Sequence, residues 1–162
     1  MVLLVLAAIF TLACFAGVLL YGAPYLPTLT PQVSAAIKLA ELKPGTTLLE
    51  LGCGDGKVLI AAAQKGAFVV GYELNPIVAL VAWLRTRKYR KQVNIIWGNF
   101  WKKEWPEADV IFVFLLPKYM EKLNNYCIQY KHKPVKLVSF AFTIPGKTAQ
   151  KTINGVYRYD YS

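Results

Sequence analysis

The sequence predicts an α/β fold, a mainly parallel Rossmann-like sheet in a minimal version, preceded by one N-terminal transmembrane helix. Three observations predict it. Short apolar runs alternate with helical repeats from Thr47 onward. A glycine-rich turn, Gly52-Cys53-Gly54-Asp55-Gly56, follows the first of those runs directly. Near the N-terminus, the stretch from Val2 to Leu20 is interrupted only by Thr11 and Gly17.

The apolar stretch, as a helix, would reach roughly 28 Å at about 1.5 Å per residue, enough to cross a bilayer. A cleaved signal peptide is the competing reading. The segment lacks a basic first region and exceeds the usual apolar length of about 7 to 15 residues. A lipoprotein signal would use Thr11-Leu12-Ala13-Cys14, whose residue order fits poorly, and a buried core helix is a third alternative. Residues 1–22 are therefore expected to be an anchor. The chain has 162 residues and a net charge of +10, yet no charged residue precedes Lys38. Lys38 and Lys43 follow the apolar run, so the positive-inside rule expects a single-pass protein with its domain on the cytosolic side. Pro24, Pro27 and Pro31 predict an extended spacer over residues 23–30, leaving residues 31–162 for one domain of common size. The three cysteines, Cys14, Cys53 and Cys127, form no CxxC pair. Neither a disulfide framework nor a zinc site is expected, and no residue cluster suggests another metal.

The elements follow in order. Thr30 reads as an N-cap with Pro31 at the first helical position, and Val33, Ala36, Ile37 and Ala40 keep helical spacing until Lys43-Pro44-Gly45. Strands are predicted at Thr47–Leu51, Phe68–Tyr72, Val93–Trp97, Val110–Leu115, Leu137–Phe142 and Val156–Tyr159. Helices are predicted at Lys57–Gln64, Pro76–Arg87 and Lys118–Gln129. Continuously apolar strands separated by helices indicate a parallel sheet covered on both faces. The stretch between the third and fourth strands is too short for a full crossover helix.

The glycines at 52, 54 and 56 allow a sharp strand-to-helix turn and let a ligand lie against bare backbone. A dinucleotide fingerprint would place its third glycine one residue later. Glu50, just ahead of the turn, would repel a pyrophosphate and suits the cationic methionine end of S-adenosylmethionine (SAM). Glu73, about 20 residues beyond the glycines at the next strand end, is placed to take two ribose hydroxyls. Asn99 and Phe100, after the third strand, are candidates for the adenine. Together Glu50, Gly52, Cys53, Gly54, Gly56, Glu73, Leu74, Asn75, Asn99, Phe100, Phe114 and Leu115 form the predicted cofactor site, at the carboxyl ends of successive strands.

With these pieces the sequence resembles the class I SAM-dependent methyltransferases. More narrowly, it is similar to the small protein-lysine methyltransferases that include membrane-anchored enzymes acting on the ATP synthase c-ring protein and the adenine nucleotide translocase, and their archaeal relatives. The carriers are Tyr25-Leu26-Pro27-Thr28, Leu49 to Gly56, Ile60-Ala61-Ala62-Ala63, Gly71 to Pro76 and Phe112 to Pro117, within Tyr25 to Gly146. The resemblance implies lysine methylation of a membrane-associated protein, with Tyr25 and Thr28 flanking the acceptor. A linker packing on the domain is the structural alternative for those two. Asn99 stands where many class members carry Asp, and the tail after the fifth strand is short.

Methyl transfer to an amine needs positioning, desolvation and a neutral nucleophile rather than a large catalytic set. The fourth strand runs into Phe114-Leu115-Leu116-Pro117, not the Asn/Asp-Pro-Pro-aromatic sequence of nucleic-acid amino methyltransferases, so a DNA base is disfavoured. Ser139 and His132 read as a strand residue and a solvated loop residue. The run holding Arg85, Arg87, Lys88, Arg90 and Lys91 reads as a solvated helix end, an anionic-lipid contact or, less in keeping with the rest, a nucleic-acid contact. Two rival functions stay open: a small-molecule or lipid-headgroup methyltransferase, and a non-catalytic membrane-tethered module that binds SAM or RNA.

Overall fold

Five parallel strands and their crossovers fill the chain from Thr47 to Phe140, as the alternating apolar runs predict. The computed structural model describes residues 1–6, 8, 9, 11, 12, 26–132 and 134–162. Helix α1 (Thr30–Ala40) leads into β1 (Thr47–Leu51), α2 (Lys57–Ala63), β2 (Phe68–Glu73), α3 (Pro76–Thr86), β3 (Val93–Trp97), β4 (Val110–Val113), α4 (Met120–Gln129) and β5 (Val135–Phe140). A hairpin of β6 (Lys151–Ile153) and β7 (Val156–Tyr161) completes the sheet. Strand order is β3-β2-β1-β4-β5-β7-β6, with β7 antiparallel to both β5 and β6.

Strand alternation divides the core in two. On one face Leu48, Val69, Val110, Phe112 and Val138 meet α1, α2 and Ala82 of α3. On the other, Leu49, Leu51, Ile111, Val113, Leu137 and Tyr159 meet Met120, Leu123 and Cys127 of α4. The missing crossover helix between β3 and β4 has a substitute on this second face. Trp101 and Trp105 pack their rings against Tyr126, with centroids 5.1 and 5.2 Å away. Trp105 Nε1 donates to the Phe100 carbonyl, Tyr126 Oη to the Trp101 carbonyl and Tyr72 Oη to the Glu104 carbonyl, at 2.9 to 3.2 Å. Aromatic side chains thus both cover the sheet and satisfy an irregular backbone, which a short connection must otherwise leave to water.

Some boundaries differ from expectation. Thr30 is already helical and Leu29 takes the N-cap position with no side-chain bond, while Pro31 sits in the first turn where its missing N–H is no loss. Strand β5 lies two residues earlier than predicted and β4 stops at Val113. Strand β6 was not predicted at all. Among the described residues no helix is long and apolar enough to cross a membrane. Much of the expected anchor and spacer, residues 13–25 with Tyr25, lies outside the described residues.

The helical face is also tied by charge. Glu41, at the left-handed end of α1, accepts from Lys136 at 3.1 Å, Lys151 at 2.6 Å and Arg158 at 2.8 Å. These three cations hold its carboxyl far below the usual range.

Candidate active site

The carboxyl ends of β1, β2, β3 and β4 converge on one edge, and every predicted cofactor residue lies there. The turn beyond β1 is built by backbone hydrogen bonds: the N–H groups of Gly52 and Cys53 both donate to the Tyr72 carbonyl, at 2.9 and 2.7 Å. Gly52 has φ +90 and Gly56 φ +80, conformations in which a side chain is strained. A Cβ at Gly52 would meet no atom within 4 Å, so open space adjoins the bare backbone there. Gly71 of β2 closes the turn from beneath, since a Cβ there would come within 2.9 Å of Cys53 Cβ and of Leu59. The Cys53 side chain is therefore turned into the core, where burial pushes its thiol up. Of the predicted Cys53, only the backbone faces the turn.

Glu73 uses both carboxylate oxygens on this loop. Oε2 accepts from Gly54 N–H at 3.0 Å and Oε1 from Asn75 N–H at 2.8 Å. Burial raises its pKa and those backbone bonds oppose the rise. Asn75 is buried and caps α3, its Oδ1 accepting from Ile77 N–H at 2.9 Å and Val78 N–H at 3.3 Å. The Leu74 carbonyl accepts the Trp97 indole N–H at 3.0 Å. Asn99 likewise caps, its Oδ1 accepting from Trp101 N–H at 2.9 Å, and Phe100 stacks on Trp101 at 4.6 Å. Both stay half-buried at the edge, yet each also serves the aromatic plug between β3 and β4.

Glu50 departs from this bonded network. It is 3% exposed, and its Oε2 has no hydrogen-bond partner. Burial, then the nearby Asp55 and Glu73 charges, push its carboxyl well above the ordinary value of 4.5. A buried, unpaired carboxyl is costly unless a donor or cation meets it. Thus in a chain of net charge +10 this pocket is acidic, with Glu50, Asp55 and Glu73 together. The orphaned oxygen beside open space at Gly52 fits the ammonium of a methionyl group, and Glu73 lies one strand over where a ribose would follow.

Beyond β4 the side chains are apolar. Phe114 and Phe140 pack with ring centroids 4.5 Å apart, and Leu115 is buried. Thr28 is half-buried just ahead of α1, and Tyr25 lies outside the described residues. Sequence reasoning missed two contributors. Asp55 pairs with Arg85, which removes Arg85 from the exposed basic run. Gly71, hidden mid-strand, sets the position of the turn; a glycine in an apolar strand was its available signal.

Comparisons with known proteins agree with this geometry. A solved RNA methyltransferase from Salinibacter ruber, in complex with S-adenosyl-L-homocysteine, is 27% identical with a TM-score of 0.79, covering 83% of this chain and 93% of that one. The human lysine N-methyltransferase named for the C-type subunit of ATP synthase is 30% identical over 147 residues, which make up 86% of this chain. The chain spans only 62% of that human relative's length. A protein-lysine N-methyltransferase of Saccharolobus islandicus is 29% identical over 134 residues, 80% of this chain and 83% of the relative. Residues 50–151 match the model of the ANTKMT methyltransferase domain, from Glu50 ahead of the glycine turn to the start of the final hairpin, and the chain belongs to that family.

Proposed function

We propose that the chain is a SAM-dependent protein-lysine methyltransferase acting on a membrane-associated protein. The observation that carries the cofactor reading is the buried, unpartnered Glu50 carboxyl beside the open space at Gly52. SAM, when bound, supplies an electrophilic methyl group. Glu50 would hold its amino end, Glu73 its ribose hydroxyls, and Asn99 and Phe100 its adenine. Two relatives named as lysine methyltransferases, human and archaeal, support the acceptor class. The chain's own contribution to reactivity is apolar. Phe114, Leu115 and Phe140 make a mouth that suits the aliphatic stem of a lysine and disfavours its charged ammonium, so desolvation helps free the nucleophilic lone pair. Thr28 and Tyr25 would flank that amine.

Residues 1–22 serve in this reading as a single-pass anchor and residues 23–30 as a short spacer to residues 31–162, with the domain cytosolic. The uninterrupted apolar run and the basic residues that follow it support this. A tether also raises the local concentration of membrane-bound acceptors. An RNA acceptor is the second reading, favoured by the solved Salinibacter relative. Incubating the full chain with methyl-labelled SAM and host membranes, then mapping label by mass spectrometry, separates them. Methylated lysine on a membrane protein is expected. Label confined to lipid, small molecules or RNA overturns the lysine reading, and a chain that washes off membranes in high salt overturns the anchor.

A further inference from the structure

The face of α3 turned away from the sheet is apolar, though nothing among the described residues covers it. Val78, Ala79 and Ala82 pack inward, while Leu80, Trp83, Leu84 and Arg87 recur at helical spacing on the outside. Trp83 is 60% and Leu80 56% exposed. Trp97 of the edge strand β3 joins them at 66% exposure, its indole steered by the bond to the Leu74 carbonyl. Between the two indoles lies a shallow groove of about 230 Å³ floored by Ala79 and Ile95.

The charge beside this patch is one-sided. Arg87, Lys88, Arg90 and Lys91 follow α3 directly and are exposed. Arg85 is committed to Asp55 and does not belong to the set. No acidic residue occurs between Glu73 and Glu104. Contiguous exposed apolar surface marks an interaction site, and indoles favour the boundary between hydrocarbon and water. A helix with apolar and basic parts on its exposed side is suited to lie in the plane of that boundary. We propose that the outer face of α3, with Trp97, docks on an anionic bilayer surface, the two indoles at headgroup depth and the four cations against lipid phosphates. Because Trp97 pairs in register with Glu73, this docking turns the cofactor edge of the sheet toward the membrane. The proposal extends the membrane reading above and uses different residues.

All four tryptophans, Trp83, Trp97, Trp101 and Trp105, lie outside the expected anchor, so indole emission reports on the domain alone. The full chain is mixed with phosphatidylcholine vesicles, with or without phosphatidylglycerol, whose acyl chains are brominated near the headgroup. Emission should be quenched in the phosphatidylglycerol vesicles and much less without it, since each basic residue changes surface partition roughly fivefold. The double variant Trp83→Tyr, Trp97→Tyr should lose most of the quenching, and Arg87→Glu with Lys88→Glu should weaken it with every indole retained. Quenching that ignores lipid charge, or that survives in the double variant, overturns the proposal. Flotation without quenching would leave the anchor standing and docking refuted; quenching that high salt abolishes together with flotation would do the reverse.

Discussion

The carboxylate of Glu73, at the end of β2, accepts the backbone N–H of Gly54, in the turn beyond β1, at 3.0 Å. One acid therefore fixes the loop that a cofactor would lie on, while its second oxygen fixes the start of α3 through Asn75. Glu73→Ala is expected to weaken SAM binding at least tenfold and to lower stability by roughly 1 to 3 kcal/mol, the cost of leaving buried donors unmade. Calorimetric titration with S-adenosylhomocysteine and chemical denaturation measure the two. Unchanged affinity would reject the assignment of Glu73.

Gly52→Ala separates strain from occlusion. At φ +90 an alanine costs roughly 1 to 2 kcal/mol, yet its methyl group meets no protein atom within 4 Å. The variant should stay folded with a modestly lowered melting temperature while cofactor affinity falls at least tenfold. If affinity and stability fall only in proportion, the open space at Gly52 is not a binding cradle.

Glu50 gives the fold a pH dependence of defined sign. Its folded pKa is raised above 4.5, so the protonated form favours the fold fully below that pH, and the contribution is lost once the pH has climbed past the elevated folded value. Glu73 acts in the same direction. Glu50→Gln should thus make the ligand-free protein more stable toward alkaline pH and flatten its pH profile, while abolishing SAM binding. Denaturation midpoints across pH check the first outcome and titration the second.

Trp105 anchors the plug between β3 and β4. It is buried, touches Phe100, Trp101, Tyr126 and Tyr130, and donates to the Phe100 carbonyl. Trp105→Ala should cost about 3 to 5 kcal/mol of stability, the range for a buried large aromatic. Because Phe100 belongs to the same cluster, cofactor affinity should fall as well, which titration at a temperature where the variant is folded would show.

Five strands and the glycine turn were legible because continuous apolar runs bounded by glycine and proline leave little choice of element. Strand β6 was not, since Lys151–Ile153 is short and largely exposed. Its signal lay in the next two residues. Asn154 and Gly155 take φ +48 and +72, the paired left-handed turn that closes a two-residue hairpin onto β7. Within the site, the sequence located the residues better than it aimed them. Cys53 faces inward because Gly71 leaves room beneath it, a contact spanning two strands that no local pattern reveals. Asn75 and Asn99 both cap the elements they precede, a use of short amides that spacing alone does not separate from ligand binding.

The position of β7 in the sheet bears on how the chain can be made. Residues 156–161 sit between β5 and β6 rather than at an edge, and Arg158 reaches back across 119 positions to donate to the Leu39 carbonyl of α1. During synthesis, α1 and the open side of β5 must wait uncovered while the rest of the chain emerges. Such remote closure slows folding and leaves apolar surface and strand edge available to other chains. A nascent chain halted before residue 156 would therefore present unpaired β5 and the underside of α1 together, the form of this protein most in need of a chaperone.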